Sequence, residues 1–312
     1  PDHGLLHSGG GWRVISAGLL TVRACLHEGR LGGIEVELER PPVLRLFLGQ
    51  LPAAVLRTLP ALYSVCTHAQ RATAGAALAA AADEAPGPAD DAGLWRELVH
   101  EHLWRLLLDW PPALGLPPEK EAFIAWRATR NEDNCATETQ RLLQDTVCDL
   151  AEKCLAQMVD RDRHAPAAAS GLAPAECLAG WQANGDAPIA ALAPRSIRAA
   201  YEGRVAGLKS AAAAMAAGAP YPVAAAGGGG WGVAQTITAR GILTHGVRLA
   251  AGRVADYRIW APTDCLFADA GMLPGLLDAP PLNSVNAARQ LLDQAILALD
   301  PCVPYVVELK DA

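Results

Sequence analysis

Alternation of apolar and polar positions marks the start of the chain. Residues 12–36 alternate in two pieces separated by the glycine pair 32–33, which predicts a strand hairpin. Between residues 51 and 82 the apolar positions instead recur with a period near 3.6, which predicts one or two helices beginning after Pro52. The Pro, Gly and Asp residues at 83–88 end this helical stretch.

Further helices and a second group of strands follow. Helical periodicity predicts helices at residues 93–109, 137–158 and 284–299. We expect Pro111 and Pro112 to stop the first of these helices, and Asn283 to cap the last. Short alternating segments at residues 233–260, interrupted by glycines, predict strands.

Segments rich in Ala, Pro, Gly and polar residues separate these elements. We expect a disordered segment at residues 1–11, followed by a single domain at 12–312 with flexible linkers near 83–91, 160–176 and 211–230. The glycine run at 227–230 lacks the G-K-[ST] sequence of a phosphate-binding loop, so a linker is the favoured interpretation.

The composition favours a mainly helical protein and excludes several classes of partner. Apolar residues make up 51% of the 312 residues and are largely Ala and Leu, which suits helix packed on helix. A formal net charge of −7 without a Lys/Arg cluster argues against nucleic acid as a partner. The chain shows neither a leader pattern nor a run of about 18 apolar residues, so we expect a cytoplasmic protein without membrane insertion.

The eight cysteines are scattered and form no C-x-x-C pair. This spacing argues against a disulfide framework and against a structural zinc knuckle. The chain also lacks a nucleophile elbow, a pair of catalytic carboxylates and a dinucleotide fingerprint. We therefore expect a protein that is not an enzyme.

Two short segments at opposite ends carry the candidate chemistry. Residues 63–70 read Tyr-Ser-Val-Cys-Thr-His-Ala-Gln, and residues 300–305 read Asp-Pro-Cys-Val-Pro-Tyr. They resemble the R-x-C-G-x-C-x-x-x-H and D-P-C-x-x-C motifs of [NiFe]-hydrogenase large subunits, whose four thiolates hold nickel and an iron that carries cyanide and carbon monoxide. Half of the ligands differ here: Tyr63 and Tyr305 stand at cysteine positions, Gln70 stands at the histidine position, and Cys66 and Cys302 remain.

Other blocks extend the resemblance in the same order. They are residues 13–15 (R-I-E, with Ile15 at the glutamate), 49–52 (G-R-x-P), 108–110 (around an aspartate), 238–241 (A-P-R-G) and 261–264 (P-[ST]-x-W-N). A closer resemblance is to the HupK/HoxV-type hydrogenase maturation proteins, which are shortened homologues of the large subunit. It implies an α+β, mainly α-helical fold, a trimmed large-subunit-like fold with small strand elements near both termini.

The resemblance also implies roles for individual residues. Cys66 and Cys302 would bind an Fe(CN)2(CO) unit, and nickel would not bind because its terminal thiolates are missing. Arg240 and Thr263 would donate hydrogen bonds to cyanide, and the charge of Arg240 would lower the pKa of a nearby thiol.

Several more positions are candidates around this site. Asp109 and Asp300 resemble acidic residues that orient Arg240 through charge-assisted hydrogen bonds. Pro262 belongs to the block that contains the hydrogen-bonding threonine. His68 is either structural or an alternative ligand, and Cys265 is a speculative third thiol.

The resemblance suggests a scaffold that carries the iron unit during hydrogenase assembly and passes it to the [NiFe]-hydrogenase large subunit. Iron-unit assembly proteins and a small HypC-like chaperone would be its other partners. Hydrogen turnover is not expected, since Ile15 removes the proton relay and no iron–sulfur motif is present. The alternative is a structural mimic of the large subunit that binds maturation partners without metal. The quinone-site subunit of respiratory complex I shares this ancestry, but the intact Asp-Pro-Cys sequence argues against it.

Overall fold

The computed structural model describes residues 18–63, 65–158, 171–187, 194–268, 272–277 and 281–311. The segment expected to be disordered at 1–11, the block at 13–15 and most of the expected linker at 160–176 lie outside these ranges. Within them, no helix has both the length and the apolarity needed to cross a lipid bilayer.

The strands of the described ranges form two sheets. They are β1 (Leu19–His27), β2 (Arg30–Glu39), β3 (Val223–Gly228), β4 (Trp231–Thr238), β5 (Gly241–Ala250), β6 (Arg253–Trp260) and β7 (Tyr305–Asp311). The first sheet has the order β2-β1-β7, with β1 antiparallel to β2 and parallel to β7. The second sheet is an antiparallel meander of β3 to β6. The first sheet therefore brings the two motif-bearing ends of the chain together.

Helices surround both sheets. They are α1 (Pro52–Leu62), α2 (Thr67–Ala81), α3 (Asp91–Trp104), α4 (Trp110–Ala113), α5 (Lys120–Thr129), α6 (Cys135–Leu142), α7 (Cys148–Gln157), α8 (Pro174–Asn184), α9 (Ile197–Ala216), α10 (Pro262–Phe267), α11 (Met272–Leu276) and α12 (Val285–Leu299). The largest apolar core is formed by α3, α5, α6, α7 and α9, whereas α12 packs on the first sheet and α2 on the second. Most of the apolar burial is thus helical, as the composition predicts.

Residues 211–230 differ from the expected linker, because they end α9 and then form β3. The alanines of this stretch are good helix formers and extend α9. The glycines allow the second sheet to lie directly against α2: a Cβ atom at Gly227 would lie 2.7 Å from the backbone carbon of Ala80. A Cβ at Gly232 would overlap the carbonyl of Ala77. Glycine in this segment serves close packing.

The prolines after α3 do not end the helix. The chain continues through a π-helical turn at Arg105–Asp109 into α4, which contains Pro111 and Pro112. Pro111 has no N–H to donate to the carbonyl of Leu107, four residues earlier. The backbone N–H of Glu119 donates to that carbonyl instead, at 2.9 Å. The expected stop was wrong because a distant N–H satisfies the carbonyl.

Two other boundaries differ from the expectation. The side chain of Ser284, rather than that of Asn283, caps α12, since its Oγ accepts from the N–H of Ala287 at 3.1 Å. Pro174 begins α8 within the segment expected to be a linker, which suits proline because the first helical N–H needs no partner.

Candidate functional site

Cys66 and Cys302 line one cavity of about 430 Å³. Its apolar walls include Leu62, Leu243 and Ile259. Three further candidates from the sequence line the same cavity: Arg240, Pro262 and Thr263. Tertiary folding thus brings together residues that are up to 236 positions apart, by subtraction of 66 from 302.

Backbone geometry holds Cys66 in place at the start of α2. Its φ of 59° and ψ of 36° lie in the left-handed region, which is uncommon for residues other than glycine. The carboxylate of Glu97 in α3 accepts from the N–H groups of His68 at 2.7 Å and Ala69 at 2.9 Å. A negative charge stabilises the N-terminus of a helix. Glu97 therefore anchors the strained turn that presents Cys66.

Cys66 is 9% exposed, and the guanidinium Nη1 of Arg240 lies 3.4 Å from its Sγ. Burial raises the pKa of the Cys66 thiol, and the charge of Arg240 opposes this shift only in part. The expectation that Arg240 would give a lowered pKa was therefore wrong. Desolvation of the thiolate outweighs the attraction of one guanidinium.

Cys302 has a more open and more polar setting, in the loop between α12 and β7. The Thr263 hydroxyl lies 3.2 Å from its Sγ and accepts from its backbone N–H at 3.0 Å. Arg40 Nη2 lies 3.4 Å from the same Sγ, while Arg40 Nε donates to Asp264 at 2.8 Å. Hydrogen-bond donors from two separate elements therefore converge on this thiol.

Asp300 lies between three arginines behind the cavity. Its carboxylate accepts from Arg105 Nε at 2.7 Å and from Arg204 Nη2, and it lies 3.5 Å from Arg240 Nε. Arg105 Nη2 also donates to the carbonyl of Pro301 at 2.8 Å. Burial alone would raise the pKa of Asp300, but the three positive charges hold it well below its usual range. A permanent buried carboxylate thus connects the Cys302 loop to the arginine beside Cys66.

The carboxylate that binds Arg240 most closely was missed in the sequence. Glu101 accepts from Arg240 Nη2 at 2.9 Å. Burial alone would raise the pKa of Glu101, but its hydrogen bond with His100 and the charge of Arg240 lower it to about 2. Asp109, which was expected to orient Arg240, instead accepts from Arg105. It therefore supports the Asp300 network at one remove.

The residues at the altered motif positions have different surroundings. Tyr63 lines the cavity, and burial raises the pKa of its phenol to about 12. Tyr305 is hydrogen-bonded to Asp293, and burial also raises the pKa of its phenol to about 12. Gln70 is 2.8 Å from His245 Nε2. Both phenols stay protonated near neutral pH, so neither replaces a thiolate.

Two candidates lie outside the lining of this cavity. His68 is close to Asp90, at 3.5 Å, and lines a separate polar cavity of about 350 Å³ that also reaches Cys66. Cys265 lies in α10 and is half-buried, but it is not among the residues that line the thiol cavity.

Several site residues carry little or no signal in the sequence. Arg40 follows β2 without a motif, and Arg204 lies in an Ala-rich helix. Glu101, Arg105 and Asp109 are spaced four residues apart, which places them on neighbouring turns of one helix face. That spacing was the available signal for part of the network.

The donor set limits what the cavity can hold. Among the described residues, no group of three or more His, Cys, Asp or Glu side chains is arranged to bind a metal ion. Two thiols beside arginine and threonine donors suit a soft metal that brings its own acceptor ligands. A bare ion would have too few protein ligands here.

Comparisons with known proteins agree with this arrangement. No protein-family model matches the chain. The chain is 30% identical to the hydrogenase expression/formation protein HupV of Azotobacter chroococcum mcd 1, over 95% of this chain and 100% of that protein. It is 31% identical to HupK of Azotobacter vinelandii, over 95% and 100% respectively. It is 26% identical to HoxV of Cupriavidus necator, over 94% of this chain and 97% of that protein.

A solved structure supports the fold. A chain of the NAD+-reducing [NiFe]-hydrogenase in the H2-reduced state matches with a TM-score of 0.53 and 12% identity, covering 88% of this chain and 93% of that chain. This match confirms the expected fold class. With the sequence relatives, it shows that the chain belongs to the family of hydrogenase expression/formation proteins that includes HupK, HupV and HoxV.

Proposed function

We propose that this protein carries an Fe(CN)2(CO) unit between Cys66 and Cys302 and passes it to the hydrogenase large subunit. The observation that supports this proposal is the meeting of both thiols in one cavity, each within 3.4 Å of an arginine nitrogen. Thiolates are suitable ligands for low-spin iron(II), and guanidinium and hydroxyl groups can donate to cyanide nitrogen. The protein performs no catalytic turnover in this proposal.

The proposed cargo contains iron without nickel. Tyr63 and Tyr305 have phenols whose pKa is raised to about 12 by burial, so the two missing thiolates are not replaced by phenolates. The unit itself supplies three of the ligands around iron. Two protein bonds must then break on release, which suits a carrier better than a permanent site.

The proposed partners are iron-unit assembly proteins, a small HypC-like chaperone and the large subunit. Transfer between proteins requires contact near the cavity mouth, because the thiols are enclosed by apolar walls. A rim residue of the cavity, Leu44, belongs to a segment with exposed leucines, which supports such contact.

A structural mimic is the second candidate function. One observation favours it: burial raises the pKa of Cys66, which opposes formation of the thiolate that a metal requires. In a mimic the thiols would be core residues, and the fold alone would engage the maturation partners.

Infrared spectroscopy distinguishes the two candidates. Protein purified without oxygen from a host that expresses the maturation genes should show cyanide and carbonyl stretching bands. Cys66→Ala and Cys302→Ala should lose these bands, whereas Cys154→Ala and Cys25→Ala should keep them. Cys154 matches the burial of Cys66, and Cys25 matches the partial exposure of Cys302. Absence of bands from well-folded wild-type protein would refute the carrier and favour the mimic.

A further inference from the structure

An exposed apolar patch lies beside the mouth of the thiol cavity. Leu46, Leu48 and Leu51 are 55%, 48% and 52% exposed, which is unusual for three leucines within six residues. The same segment contributes Val43 and Leu44 to the cavity wall. One face of the segment thus lines the cavity, while its leucines face solvent.

The segment is held firmly in this position. Phe47, between the exposed leucines, is 1% exposed and stacks edge-on against Tyr257 at a centroid distance of 4.9 Å. The N–H of Gly49 donates to the carbonyl of Val254 at 2.8 Å, and the N–H of Val254 donates to the carbonyl of Gln50 at 3.0 Å. The leucines are therefore displayed on an ordered surface.

The charge around the patch has the opposite sign to that of the protein. Residues 40–82 contain no Asp or Glu, although the chain has 33 acidic residues and a formal net charge of −7. Arg45 and Arg57 are exposed in this stretch. Arg253, from the start of β6, donates to the carbonyl of Gly49 at 2.9 Å and adds a third exposed guanidinium. The leucines are thus accompanied by positive charge alone within this stretch.

We propose that this leucine–arginine patch is the docking surface for a partner protein whose contact face is apolar and bordered by carboxylates. This inference rests on the proposed function, since the patch adjoins the entrance through which the iron unit would pass. Apolar contacts would supply most of the affinity, and the arginines would orient the partner and speed its association. A protein is favoured over an anionic membrane, because a net charge of −7 repels such a surface.

The test measures binding of two purified proteins, the large-subunit precursor and the HypC-like chaperone, to the iron-free chain. Leu46→Asp combined with Leu48→Asp should weaken binding of one of them by about tenfold or more. The matched control is Ile124→Asp, since Ile124 is 65% exposed on α5, and it should change nothing. Exposed substitutions of this kind change folding stability by about 0.5 kcal/mol or less.

Charge complementarity has its own test. Arg45→Glu combined with Arg57→Glu should slow association several-fold and reduce its dependence on salt between about 0.05 and 0.5 M. Arg127→Glu, at an exposed position of α5, is the control. Equal binding of both proteins to the wild type and the leucine variant would overturn the proposal. Binding to anionic vesicles alone, or self-association alone, would also overturn it.

These outcomes are separable from those of the carrier hypothesis. Docking is measured without iron, so Cys66→Ala should bind the partner normally even though it loses the infrared bands. A silent infrared spectrum together with intact, leucine-dependent docking would support the mimic and the patch at once. Infrared bands together with leucine-independent docking would support the carrier and reject the patch.

Discussion

The two thiols occupy contrasting environments although they share a cavity. Cys66 lies in a strained turn that Glu97 caps, and a single guanidinium contacts its buried sulfur. Cys302 lies in a loop, is half-buried, and has both Arg40 and Thr263 at its sulfur. The first environment fixes position, whereas the second supplies hydrogen bonds and access.

This contrast suggests a division of labour between an anchor and an accessible ligand. Asp300 joins the two sides, because it precedes the Cys302 loop and contacts Arg240, which in turn contacts Cys66. Substitutions on either side, or at the junction, therefore test whether the two thiols are independent.

Asp300→Asn should have the largest effect, since it leaves three arginines without their shared buried carboxylate. We expect a loss of about 3–5 kcal/mol in the free energy of unfolding, measured with urea. Asp256→Asn is the control, because that carboxylate and Arg258 form a partly exposed ion pair worth about 1 kcal/mol or less. Equal losses in both variants would show that the junction holds nothing together.

Thr263→Val should affect the Cys302 side alone. The valine keeps the shape but removes the acceptor for the Cys302 N–H and the donor to its sulfur. A loss of about 1–3 kcal/mol in the free energy of unfolding is expected for the unsatisfied N–H. Thr58→Val, on the exposed side of α1, should change little. No loss for Thr263→Val would mean that the loop is held without its hydroxyl.

Alkylation should separate the two thiols in the native protein. Burial shields Cys66 and raises its pKa, so iodoacetamide at pH 8 should modify Cys302 at least about tenfold faster than Cys66. Peptide mass spectrometry over a time course gives both rates. Faster modification of Cys66 would reverse the assignment of anchor and accessible ligand.

The smallest effect concerns acidity on the Cys66 side. Burial lowers the pKa of His102 and of His245 to about 3, so both imidazoles are neutral in the folded protein. The unfolded chain takes up these protons below about pH 6.5, so stability is present above that pH and is lost on acidification. Each histidine should remove about 1 kcal/mol between pH 7 and pH 5.5.

His245→Gln provides the measurement for this pH effect. The free energy of unfolding at pH 7 and at pH 5.5 should differ by about 1 kcal/mol less in the variant than in the wild type. His27→Gln, at an exposed position on β1, is the control. An unchanged difference in His245→Gln would show that His245 is not buried as a neutral group.

Periodicity was sufficient for most of the elements and failed at close packing and at breaks. The hairpin of β1 and β2 and the helices α1 and α2 were predicted, since each follows one clear period. Gly227 and Pro111 misled the prediction. Their usual effect on a chain was cancelled by a neighbouring helix in one case and by a distant N–H in the other.

By itself, the sequence determined the family, the mainly helical fold and the two segments that carry the thiols. These features depend on local order along the chain, namely period, motif and spacing. Only the tertiary structure decided that Arg40, Arg204 and Glu101 belong to the site and that the pKa of Cys66 is raised. Electrostatic energies depend on distance and desolvation in three dimensions, and neither quantity is written in the order of residues.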